Sequence, residues 1–149
     1  MLNNITCQLE QISLEDLIAY MRFQADEAFP SLKDENKLHA FASKLHENAN
    51  FCISRDKGEL VGMIAYYANG QGTDFAYIPH VYVSPEYRKM KLFAAMLKIV
   101  VLDVKQKGFA EIRLEVRKDN TIAQSAYLRN GFSPIDVESS DSIFMSKSL

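Results

Sequence analysis

The stretch from Val81 to Phe93 has the residue types that hold an anion. Val81-Tyr82-Val83 reads as the end of a strand and Ser84-Pro85 as a turn. Arg88-Lys89-Met90-Lys91-Leu92-Phe93 then reads as the opening of a helix. A helix start gathers N–H groups that have no partner within the helix, together with the positive end of its dipole, so it attracts phosphate. Two lysines and an arginine crowd the same turn, but the glycine expected in a backbone cradle is missing.

Charge supports a polyanionic ligand there. The net charge is only −2, yet residues 88–129 carry ten Lys/Arg against four acids, and the remainder carries seven against fifteen. The acidic remainder suits a cationic co-substrate. Lys98, Lys105 and Lys107 are better read as a solvated helix face. The acidic overall balance and the small basic cluster argue against nucleic acid.

The elements that must position this stretch can be placed around it. A chain of 149 residues that is 48% apolar is expected to form one domain, residues 1–149, with a proper core. No apolar run approaches the roughly 20 residues of a membrane span, and the first ten residues lack a signal peptide's basic start, so a cytoplasmic protein is expected. Cys7 and Cys52 have no CxxC spacing and read as reduced thiols, although two cysteines could pair. With His39 and His46, seven apart and lacking a companion ligand, they make no metal site.

Residues 5–10 read as a first strand. Ser13-Leu14-Glu15-Asp16 resembles a capping box ahead of Leu14, Leu17, Ile18 and Met21 at helical spacing. Leu38, Phe41, Ala42 and Leu45 mark a second helix. Strands over 51–55 and 60–67 flank an Asp56-Lys57-Gly58 turn, and Asn69-Gly70-Gln71-Gly72 leads into a strand over 74–83. Phe93, Met96, Leu97, Val100, Val101 and Val104 form a helical stripe closed by Gly108. Ala110, Ile112, Leu114 and Val116 alternate with charged residues as a half-buried strand. Asp119 or Asn120 caps a helix carrying Ala123, Ala126 and Tyr127, closed by Asn130-Gly131, and a strand pair over 132–138 and 142–148 follows. The predicted class is α+β: a mixed, mostly antiparallel sheet between helical layers.

These residues carry a family likeness. Val81-x-Val83-x-Pro85-x-x-Arg88 entering a helix, followed by Asn120-x-x-Ala123-x-x-x-Tyr127-x-x-x-Gly131-Phe132, resembles the GNAT superfamily of N-acetyltransferases. The likeness covers the whole chain in element order and is concentrated in residues 78–132. It implies a three-layer fold in which the strand over 78–83 splays from its neighbour. The backbone of Val81, Tyr82 and Val83 would then pair with the pantetheine arm of acetyl-CoA as a co-substrate. N–H groups of Arg88, Lys89, Met90, Lys91, Leu92 and Phe93 would hold its pyrophosphate. The family pattern in this loop is Arg/Gln-x-x-Gly-x-Gly/Ala, and here Lys91 and Phe93 take the glycine and small-residue places.

The likeness also assigns roles. Tyr127 matches the residue that protonates the departing CoA sulfur; a phenol of pKa roughly 10 can protonate a thiolate whose acid has a pKa of roughly 8.5. Asn120 would cap its helix and reach the cofactor, and a small Ala123 would let the cofactor lie against that helix. An ammonium acceptor must lose a proton before it attacks, and His80, on the strand before the loop, is the nominated base. Alternation places it with Ile78 and Tyr82, opposite Val81 and Val83, where a hydrogen-bonded histidine under the flanking helices is the competing reading. Tyr77 and Glu115 are weaker candidates.

The function expected is acetyl transfer from acetyl-CoA to a primary amine of a small molecule or peptide by direct attack. Residues 13–48 would bind the acceptor, with Phe29, Tyr66, Asp26, Glu27 and Asp74 nearby. The alternative is an acyl-CoA-binding or interaction domain with little or no turnover. Neither a metal nor a membrane is implied, and a homodimer through the last strand pair is possible.

Overall fold

A computed structural model describes residues 4–69 and 74–149. The Gly70-Gln71-Gly72 part of the expected turn lies outside them. In chain order the elements are β1 (Ile5–Leu9), α1 (Leu14–Glu27), α2 (Glu35–Asn48), β2 (Asn50–Asp56), β3 (Glu59–Tyr67), β4 (Phe75–Val83), α3 (Leu92–Gln106), β5 (Glu111–Arg117), α4 (Thr121–Arg129), β6 (Ser133–Ile135) and β7 (Ser142–Ser148). Short 3-10 turns at Pro30–Lys33 and Pro85–Met90 precede α2 and α3.

Local chemistry explains most boundaries. The Ser13 side chain accepts from the Asp16 N–H at 3.1 Å and starts α1. Asp34 accepts from the N–H groups of Asn36 and Lys37 and starts α2. Lys57 and Gly58 both take positive φ (51° and 89°), the two-residue hairpin turn whose twist matches that of the flanking strands. Gly108, at φ 94°, closes α3. The strand expected over 132–138 is much shorter. Pro134 brings no N–H to the ladder, and the Val137 N–H turns back onto the Ile135 carbonyl at 3.0 Å, so β6 ends after three residues.

The sheet order is β1-β2-β3-β4-β5-β7-β6, antiparallel throughout except for β4 beside β5. Each face has its own core. On one, Leu92, Met96, Leu97, Val100 and Val104 of α3 and Phe132 after α4 cover Ile64, Tyr66, Ile78, Ile112 and Leu114. On the other, Leu17 and Met21 of α1 and Leu38, Ala42 and Leu45 of α2 cover Ile53, Met63, Ala65 and Tyr82. The result is the mixed three-layer α/β/α arrangement that the sequence predicts.

One irregularity decides what faces where. Ala65 pairs with His80 but Tyr67 pairs with Tyr77, so two steps along β3 meet three along β4. The extra residue, at Ile78-Pro79, is a β-bulge. Simple alternation groups Ile78 with His80 and Tyr82; the bulge overturns this. Ile78 packs with the α3 core, while Tyr82 joins the α1–α2 core and His80 packs on Phe29 and Phe41.

Candidate active site

β4 and β5 pair from Phe75–Glu111 to Ile78–Leu114 and then part. Beyond that point β4 keeps only β3 as a neighbour. The Ser84 N–H donates to the Val61 carbonyl at 2.8 Å, which makes Ser84 a hydrogen-bonding partner of β3. Antiparallel alternation gives Tyr82 and His80 the same role and turns the backbone groups of Val81 and Val83 toward the gap. The Val83 carbonyl is taken there by Arg88 Nε at 2.9 Å.

The loop that follows differs in detail from a helix beginning at Arg88. Arg88, Lys89 and Met90 belong to the 3-10 turn, and α3 begins at Leu92. Lys91 is the hinge between them, in the left-handed region at φ 59° and ψ 29°. This identifies the demand that glycine would meet: the chain must take a positive φ there, and Lys91 does so with its side chain exposed. No side chain caps α3, and its first α-helical bond runs from the Ala95 N–H to the Lys91 carbonyl, so the N–H groups of Leu92, Phe93 and Ala94 have no partner in the helix. Lys89 and Lys91 stand exposed beside them. The Leu92 side chain is buried in the core, leaving only its backbone for a ligand.

Because β4 and β5 are parallel, α3 and α4 both start at the same end of the sheet. Asn120 caps α4, its Oδ1 accepting from the Ala123 N–H at 3.1 Å. Ala123 and Tyr127 pack against the α3 core. The Tyr127 ring meets Phe93 and Phe132 edge-on at 5.4 and 5.9 Å. Burial pushes its phenol up to about 12. No hydrogen-bond partner within the described residues holds that hydroxyl, yet no sealed polar side-chain atom lacks a partner, so the hydroxyl reaches solvent.

His80 is placed differently from the cofactor loop. It is 5% exposed, with its ring 4.9 Å from Phe29 and 5.5 Å from Phe41, and its Nε2 lies 2.6 Å from Gln24 Oε1. Burial lowers it to about 4, so the ring is neutral at physiological pH. Tyr77 is half-buried and raised by burial and by Glu115, which is itself exposed.

The expected acceptor residues separate. Phe29 lies on the α1–α2 side against His80, and Asp26 and Asp74 are exposed. Tyr66 faces the other way, buried under α3 with its hydroxyl donating to Asp103 at 2.6 Å. The Glu27 carboxylate is engaged by Arg88 and by the Tyr82 hydroxyl. Sequence reasoning missed Tyr20 and Gln24, which bond Ser84 and His80. A signal existed: Gln24 shares the buried face of α1 with Leu17, Tyr20 and Met21, and a polar side chain there calls for a polar partner.

Residues 13–132 match the model of the Acetyltransferase (GNAT) family. A spermidine N(1)-acetyltransferase from Thermoplasma acidophilum is 36% identical over 67 residues, 45% of this chain and 42% of that protein. The chain thus spans only about two fifths of the length of the curated relatives it matches. Among solved structures, the PaiA N-acetyltransferase of Thermoplasma acidophilum, in complex with coenzyme A, superposes with a TM-score of 0.73 at 22% identity, over 97% of this chain and 99% of that one. An acetyltransferase from Streptococcus agalactiae gives 0.75 at 17% identity, over 99% of each. With a family match over most of its length and the parted strands that the fold requires, the chain belongs to the GNAT family of acetyltransferases.

Proposed function

We propose that this protein moves an acetyl group from acetyl-CoA to a primary amine. The observation that carries the reading is the gap between β4 and β5, which opens beside the uncapped start of α3. The residues fit such a ligand. Val81 and Val83 offer strand-pairing groups to an amide-bearing arm. Leu92, Phe93 and Ala94 offer N–H groups to a pyrophosphate, and Lys89 and Lys91 add charge. Acetyl-CoA supplies an activated thioester with a good leaving group. Tyr127 serves as general acid: raised to about 12, the phenol is fully protonated at physiological pH and has a proton to deliver to the sulfur as the C–S bond breaks.

The acceptor amine approaches from the α1–α2 side and sheds its proton before attack. Two features bear on His80 as the base. Its neutral ring can accept a proton, but its lowered pKa weakens it, and Gln24 already holds Nε2. The His80→Gln variant decides between a base and a strut for β4. The same burial favours a second reading, a domain that binds acyl-CoA without turnover.

Titration calorimetry with CoA and acetyl-CoA is the first test, and absence of binding at millimolar ligand removes both readings. Thiol release across polyamines, amino sugars and peptide N-termini then separates enzyme from binder. Spermidine belongs in that panel because a relative carries its name.

A further inference from the structure

We infer that a polar stripe on α1 holds the parted end of β4 in place, and that Arg88 acts through this stripe as a positioning residue, not as a phosphate ligand. The inference rests on the acetyl-CoA reading above. Tyr20, Gln24 and Glu27 stand at i, i+4 and i+7, on one face of α1. Each bonds the segment that has lost β5 as a neighbour. The Tyr20 hydroxyl lies 2.9 Å from Ser84 Oγ in a buried contact, and Gln24 Oε1 lies 2.6 Å from His80 Nε2. Glu27 Oε1 accepts from the Tyr82 hydroxyl at 2.8 Å. Side chains of α1 thus tie down the parted end of β4 through side chains on the sheet face, which leaves the gap-facing backbone groups of Val81 and Val83 outside these contacts.

Arg88 completes the stripe. Its Nε donates to the Val83 carbonyl at 2.9 Å, while both terminal nitrogens donate to Glu27, Nη1 to Oε2 at 3.2 Å and Nη2 to Oε1. The guanidinium also lies over the Tyr82 ring, 5.5 Å from its centre. A carboxylate on the last residue of a helix sits at the wrong end of the dipole, and α1 has no basic residue in its last turn. Arg88 supplies that missing charge from the cofactor loop, so its own positive charge is already matched. Lys89 and Lys91 remain for an anion.

Glu27→Gln gives a test with opposite signs. If Arg88 were a phosphate ligand, freeing it from a carboxylate would tighten CoA binding. The stripe predicts a several-fold loss instead, shared by Arg88→Ala and Arg88→Lys and not additive in the double variant, because lysine lacks the fork that spans Val83 and Glu27. S-acetyl-pantetheine, which carries no phosphate, should lose as much as acetyl-CoA. Tighter CoA binding in Glu27→Gln, or rescue by Arg88→Lys, overturns the inference. Hydrogen exchange in the ligand-free protein separates this failure from failure of the enzyme reading. Amides of residues 80–84 should exchange faster in Glu27→Gln than in wild type whether or not CoA binds, and unchanged protection there also overturns it.

Discussion

Phe93, in the first turn of α3, meets Tyr127 of α4 edge-on at 5.4 Å, so the residue in the small-residue place of the loop buttresses the candidate general acid. The contact explains how a bulky side chain is accepted there: it points into the junction of two helices and away from the phosphate path. Tyr127→Phe keeps the ring packing and removes only the hydroxyl. Turnover should fall by about 10²–10⁴-fold with acetyl-CoA affinity unchanged. Steady-state kinetics beside calorimetry checks this, and undiminished kcat would remove Tyr127 from the acid role.

Lys91 carries a measurable backbone cost. A left-handed L-residue is disfavoured by about 1–2 kcal/mol, partly offset in any glycine variant by the freer unfolded chain. Comparing Lys91→Ala with Lys91→Gly isolates the backbone, since both lose the charge. The glycine variant should be the more stable by about 1 kcal/mol in urea denaturation. Both should weaken CoA binding to a similar extent. Equal stability would show that φ 59° is relaxed at this position.

Gly62 bears on the same loop from beneath. A β-carbon there would come 3.2 Å from Met96 Cε and press α3 away from the β3–β4 end that carries the site. The contact is with the far end of a flexible side chain, so Gly62→Ala should cost about 1 kcal/mol. It should weaken CoA binding more than Gly58→Ala, whose β-carbon meets no atom within 4 Å and whose cost is instead the left-handed φ of 89° in the hairpin turn. Thermal melts and calorimetry on the pair test both statements.

What was legible in the sequence follows from how local each signal is. The Ser13 cap, the Lys57-Gly58 hairpin and the α3 stripe are written within one element and its flanks, and each stands where expected. The bulge at Ile78-Pro79 is a property of pairing with β3, so alternation along β4 alone gave Ile78 the wrong face. The stop of β6 depends on a turn bond made only after the strand is paired. The basic turn reads as an anion site by charge, but Arg88 answers to Glu27, 61 residues earlier, a partner that no spacing in the turn itself announces. Lys91 lies between these cases: the missing glycine flagged the position, and only the folded backbone shows that the demand is a positive φ.

His80 makes stability depend on pH in a predictable direction. Its ring is lowered from 6.5 to about 4 by burial against Gln24, Phe29 and Phe41, so the unfolded chain takes up the proton first as pH falls. The stabilisation is complete above about pH 6.5 and is lost progressively toward pH 4, by about 2 kcal/mol at pH 5. Glu10 and Glu27, held below the ordinary carboxylate value by Arg55 and Arg88, contribute in the same direction but only below about 4.5. Urea midpoints at pH 7 and pH 5 should therefore differ in the wild type and nearly coincide in His80→Gln, whose amide can still bond Gln24 but cannot take a charge. A wild-type midpoint that holds steady to pH 5 would mean that the ring is not sealed, and the case for His80 as a working base would then strengthen.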